Sequence, residues 1–187
     1  VSCEKPEKNL LKRKFLLTEE NIKFYQKNFL KKINLKFVIL CEKLTVSNIP
    51  AIGFANPEMK TIILNVNSKE KIFQRVIHHE IFHIIHKNFY DLFDVSKWKK
   101  FNNPKFKYFA CTDCEGNFSL TPLDLTNGFF TTYAKSSVSE DMAETFSFLI
   151  FNDKHSKIKI AEDSIIGKKA NFIKKNISKI YIEFEFK

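Results

Sequence analysis

Five consecutive positions of an apolar stretch carry the residue types that metal-assisted hydrolysis needs. In His79-Glu80-Ile81-Phe82-His83 the two histidines are four apart, and a carboxylate directly follows the first. On an α-helix that spacing places both imidazoles on one face, one turn apart, where both nitrogens can reach one Zn²⁺ at about 2.0–2.1 Å. Glu80 is then close enough to accept a proton from water beside the metal without being a ligand itself. The segment is flanked and interleaved by Val76, Ile77, Ile81, Phe82, Ile84 and Ile85. Burying two imidazoles and a carboxylate among them without partners would be costly, which favours a metal over an incidental pair of histidines.

A catalytic zinc takes three protein ligands and keeps one position open. His86 continues the set at i+7, but a straight helix carries it another turn along, and no glycine lies between His83 and His86 to bend the chain. It therefore reads as a rim residue, and His78 as a neighbour turned away from the metal face. The better third ligand lies in Glu140-Asp141-Met142-Ala143-Glu144, where two carboxylates stand one turn apart around a small Ala143. Glu140 would bind the metal, and Glu144 would orient a ligand histidine through a hydrogen bond.

Taken together, H-E-x-x-H and E-x-x-A-E resemble the gluzincin zinc metallopeptidases. The closer likeness is to the anthrax lethal factor-type peptidase domain and its bacterial lipoprotein relatives. In these relatives a strand precedes the metal helix, as Thr61 to Val66 does here, and a Thr-Tyr pair like Thr132-Tyr133 precedes the second motif. The stretch Trp98 to Asn102-Asn103-Pro104, with Phe106-Lys107-Tyr108, also looks like a segment of the bacterial relatives. The resemblance implies one Zn²⁺ per chain on His79, His83 and Glu140, Glu80 as general base, Tyr133 as oxyanion donor, Glu144 behind the ligands, and a protein or peptide substrate. It covers about residues 58–151, and Phe82 and Ile84 stand where relatives often have glycine. The lethal factor's substrate-docking domains lie outside it, so its substrate preference does not carry over. A catalytically inactive surface-binding protein of zincin-like shape is the alternative; it would have no physical need for Glu80.

The elements that must position these residues can be read from the hydrophobic pattern. The spacing predicts helices over about 19–33, 69–88, 139–151 and 162–176, with strands at 35–40 and 61–66. Thr18 is expected to cap the first helix. Residues 91–130 read as one long irregular connection, and 180–186 as a strand or tail. The expected class is α+β: a zincin-like domain with a small mixed sheet, an H-E-x-x-H helix and a helical C-terminal part. Residues 1–17 read as a polar tether and 18–187 as a single domain.

With 44% hydrophobic residues, 21 Phe and only 4 Gly, the chain can bury a core. Its net charge is +10, yet the lysines are dispersed rather than clustered with aromatics, so a solvated surface is expected and no nucleic-acid partner. No apolar run approaches the roughly 20 residues of a membrane-spanning helix. Cys41 ends an apolar run and reads as a buried small hydrophobe, while Cys111-x-x-Cys114 is open between a loop disulfide and two free thiols. Val1-Ser2-Cys3 resembles the end of a bacterial lipoprotein signal, so a lipid on Cys3 and an exported, membrane-anchored protein at a cell surface or in a periplasm are expected. Oligomeric state has no signature in this sequence.

Overall fold

The computed structural model describes residues 1–109 and 118–186 of the chain. The described residues are α+β, with a small mixed sheet and several helices, in two compact units, Val1–Asn88 and Phe89–Lys187.

The N-terminal unit begins with strand β1 (Ser2–Glu4), helices α1 (Lys8–Lys23) and α2 (Lys27–Lys32), and the long strand β2 (Phe37–Val46). It continues through β3 (Ile49–Pro50), β4 (Gly53–Asn56) and β5 (Thr61–Asn65) to helix α3 (Glu70–Asn88). The strands run in the order β1-β2-β5-β4, with β3 also paired to β2. Strands β2 and β5 are parallel, in register from Phe37 opposite Thr61 to Cys41 opposite Asn65, and β4 lies antiparallel to β5 along its other side. Ile62 and Leu64 of β5 are fully buried, as the alternation of a half-covered sheet requires, and α3 packs against β4 and β5.

Helix α1 starts eleven residues before the expected boundary at 19, and Thr18 caps nothing. Its side chain donates back to the Lys14 carbonyl within the helix, while the Glu7 carboxylate caps the true start by accepting from the amides of Asn9 and Leu10. The helix is hard to see in sequence because its buried stripe is partly polar. Lys14 is 3% exposed, donates to the Ser68 carbonyl at 2.5 Å, and lies 4.5 Å from the Phe73 ring centre. Periodicity in hydrophobic residues cannot report a stripe made of Lys14 and Thr18.

In residues 1–17, Ser2 pairs with Thr45, and most of the segment is helix. A disulfide joins Cys3 to Cys41. Cys41 is buried, as expected, and its sulfur is bonded to that of Cys3. Cys111 and Cys114 lie outside the described residues. No helix among the described residues is long and apolar enough to cross a membrane.

The C-terminal unit contains α4 (Val95–Lys99), α5 (Val138–Phe151), α6 (Lys154–Glu162) and α7 (Ser164–Ile180). The irregular stretch expected over 91–130 contains α4, whose Trp98 is fully buried. The helix expected over about 162–176 is α7, and the unexpected α6 precedes it; the two meet at Asp163, whose carboxylate caps α7 through the amides of Ile165 and Ile166. The same carboxylate accepts from Thr126 and from the Gly128 amide. Burial pushes its pKa up, but these bonds together outweigh that and hold it below the usual carboxylate value.

Candidate metal centre

Helix α3 carries His79, Glu80 and His83 in the middle of its length; His79 and Glu80 lie in a run buried from Val76 to Phe82, and His83, just beyond it, is half-buried. The helical turn brings the His79 and His83 imidazoles together with their Nε2 atoms 3.0 Å apart and their ring planes at 73°. Two ligand nitrogens on one tetrahedral zinc at about 2.0–2.1 Å would stand roughly 3.3–3.4 Å apart, so the pair fits a shared cation. His79 is 3% exposed and Glu80 6%, which makes this an acid and an imidazole withdrawn from bulk water.

Glu80 has a neighbour that sequence reading passed over. Gly53 lies in strand β4, and a Cβ built there would fall 2.5 Å from Glu80 Oε1, 2.6 Å from Val76 Cγ1 and 2.8 Å from Glu80 Cγ. The space that Glu80 occupies is therefore the space a side chain at position 53 would need. A lone glycine inside a strand is a recognised sign of such close approach, and it was the available signal in Ile52-Gly53-Phe54.

The histidines beside the pair have different surroundings. His78 is buried, with Nε2 3.1 Å from Asn21 Oδ1 and Nδ1 2.7 Å from the Tyr25 hydroxyl. The amide oxygen can only accept, so Nε2 carries the proton and Nδ1 accepts from Tyr25. Burial raises the Tyr25 pKa well above its usual value, which keeps that hydroxyl a donor. His78 thereby ties α1 and Tyr25 to α3. His86 is held to a pKa of about 4, first by burial and then by His83.

In the C-terminal unit, α5 carries Glu140, Asp141 and Glu144. The Ser137 hydroxyl caps the helix by accepting from the Glu140 amide at 3.1 Å, which fixes the backbone under Glu140. Glu144 is 1% exposed, and its Oε2 accepts from the Thr131 hydroxyl at 2.8 Å. Tyr133 opens a short 3-10 turn, Tyr133–Lys135.

Asp141, between the two glutamates, belongs to a separate buried network. Its Oδ2 accepts from Trp98 Nε1 at 2.8 Å, the Tyr108 hydroxyl at 2.5 Å and Lys169 Nζ at 2.7 Å. Lys169 is fully buried, also donates to the Gly128 carbonyl, and lies 3.9 Å from the centre of the Phe129 ring. Burial raises the Asp141 pKa and lowers that of Lys169, and the attraction between them opposes both shifts. The Trp98 and Tyr108 region, noted in sequence only for its likeness to relatives, thus holds the residue next to Glu140.

His79 and His83 of the N-terminal unit and Glu140 of the C-terminal unit are side chains of the kinds that could hold a metal ion. His86 is not grouped with them. The profile of the family described as "Putative zinc-binding metallo-peptidase" matches residues 10–185, nearly the whole chain. The chain belongs to this family. A comparison with curated proteins gives no match. Zinc-peptidase chemistry therefore rests on this family and on the donor set, two imidazoles and a carboxylate, which suits zinc.

Proposed function

We propose that this chain is a gluzincin-type zinc peptidase of zincin-like fold, related to the lethal factor-type peptidase domain, with His79, His83 and Glu140 as ligands of one Zn²⁺. The observation that carries the reading is the convergence of the His79 and His83 Nε2 atoms on the helix that also carries buried Glu80. When bound, zinc would polarise the scissile carbonyl and make water a better nucleophile. Glu80 takes the proton from the attacking water and delivers it to the leaving amine. Tyr133 donates a hydrogen bond to the developing oxyanion. Glu144 accepts from the imidazole N–H of a ligand histidine, which fixes its tautomer and its aim. The substrate is a protein or peptide. We also propose an exported protein, because the Cys3–Cys41 disulfide suits an oxidising compartment.

Metal analysis of purified protein, together with turnover of a quenched fluorogenic peptide library, tests this reading. About one zinc per chain is expected, lost when His79 and His83 are both replaced. Glu80→Gln should keep the zinc and lose turnover by about 10²–10⁴-fold; undiminished turnover excludes Glu80 as the base. Tyr133→Phe should lower kcat with zinc content unchanged. Weaker zinc binding is expected in Glu140→Ala and not in His86→Ala, and the reverse pattern would reassign the third ligand.

A further inference from the structure

Thr131 is fully buried, and its hydroxyl makes two bonds of fixed direction. The Ala134 amide lies 3.1 Å from Oγ1, and Glu144 Oε2 lies 2.8 Å from the same atom. An amide N–H only donates, so Oγ1 accepts from Ala134 and sends its single proton to the carboxylate. The first bond closes on the residue after Tyr133, within the 3-10 turn that starts there. The second reaches α5 one helical turn beyond Glu140.

The backbone beneath Thr131 is held from both sides. Phe130 stacks on Phe148 of α5 with ring centres 4.3 Å apart, and its carbonyl accepts from the Leu123 amide. Thr131 itself bridges to Pro122. The hydroxyl is thus presented from a fixed position to both partners.

We propose that Thr131 is a positioning residue, whose single oxygen sets both the turn carrying Tyr133 and the carboxylate of Glu144. This rests on the roles given above to those two residues. By holding Oε2, Thr131 divides the carboxylate between its own hydroxyl and a second donor, and so sets the angle at which Glu144 meets a ligand histidine. Through Ala134 the same atom limits where the Tyr133 ring can travel. Valine keeps the shape of threonine without the hydroxyl, and serine keeps the hydroxyl without the methyl, so the two substitutions separate the hydrogen bonds from the packing.

The test compares Thr131→Val, Thr131→Ser, Glu144→Gln and the Thr131→Val/Glu144→Gln double variant in the full chain. Zinc affinity is read by competition with a chromogenic chelator, and kcat and KM on a peptide from the library, with folding followed by circular dichroism. Thr131→Val should weaken zinc binding about tenfold and lower kcat about tenfold at saturating zinc, with KM little changed. Thr131→Ser should restore both. In the Glu144→Gln background the zinc effect of Thr131→Val should largely disappear, because the two act through one bond. A merely structural threonine would lower the melting temperature and leave the zinc affinity of the folded protein unchanged.

Unchanged zinc affinity and kcat in folded Thr131→Val, or failure of serine to rescue, would overturn the proposal. If Thr131→Val does not fold, Thr131→Cys, with its weaker donor, must show the same losses in smaller degree, and wild-type values there also overturn it. A wild-type chain that binds zinc but cleaves no peptide overturns the peptidase reading alone, since the affinity series still tests the role of Thr131 behind the metal.

Discussion

The N-terminal and C-terminal units hold their chemical residues by different means. In residues 1–88, His79, Glu80 and His83 owe their arrangement to one helix and to empty space: the helical repeat aligns the imidazoles, and Gly53 leaves the room that Glu80 fills. In residues 89–187, Glu140 and Glu144 sit on a helix fixed by polar bonds, through the Ser137 cap, the Thr131 hydroxyl and the buried Asp141–Lys169 pair. A helix supplies the i, i+4 geometry of two ligands from local sequence. On α5 the support for the carboxylates comes from the Ser137 cap close in sequence and from Thr131 and Lys169 farther along the chain.

Breaking the buried pair should have the largest effect on that contrast. Lys169→Met leaves the Asp141 carboxylate buried without its cation, at a cost of about 3–5 kcal/mol. Urea unfolding should show the loss, and hydrogen exchange should quicken in residues 89–187 before 1–88. The covalent counterpart in the N-terminal unit is the disulfide, which spans 38 residues of sequence. Replacing Cys3 and Cys41 by serine should cost about 3–4 kcal/mol on chain-entropy grounds, with faster exchange concentrated in residues 1–88.

Gly53→Ala tests whether space alone positions Glu80. A displaced carboxylate should lower kcat about 100-fold with zinc content intact, alongside an overpacking cost of about 1–3 kcal/mol. In a Glu80→Asp background, where the side chain is shorter, Gly53→Ala should cause little further loss of kcat. An equal loss in both backgrounds would assign the glycine to packing against Val76 instead.

The smallest effect concerns His86. Its folded pKa of about 4 lies below the ordinary histidine value near 6.5, so the unfolded chain takes up the proton first as pH falls. That contribution to stability is complete above about pH 6.5 and is lost progressively as pH falls toward 4. Melting temperatures of metal-free protein at pH 7.5, 6 and 5 should decline, and His86→Gln should flatten part of the decline.

How far the site was legible in sequence follows from the same contrast. The pattern H-E-x-x-H needs only a helix to become a metal-binding pair, and the Ile, Phe and Val around it specify a buried helix. The strand at Thr61 and the helix carrying Glu140 were equally visible, because their apolar residues recur at strand and helix spacing. Helix α1 was misplaced because Lys14 and Thr18 occupy its buried stripe. The pairing of Cys3 with Cys41 was not legible, because the two lie 38 residues apart with no local mark of pairing.

What the sequence by itself determined is therefore the local chemistry: two imidazoles and a base on one turn of helix, and two carboxylates on one turn of another. Tertiary structure decided how those groups are supported. That Gly53 stands over Glu80, that Thr131 gives its proton to Glu144, and that Trp98, Tyr108 and Lys169 converge on one oxygen of Asp141 are contacts between residues far apart in the chain. Helical spacing is a property of neighbours in sequence. A clearance or a shared oxygen exists only once distant segments have packed.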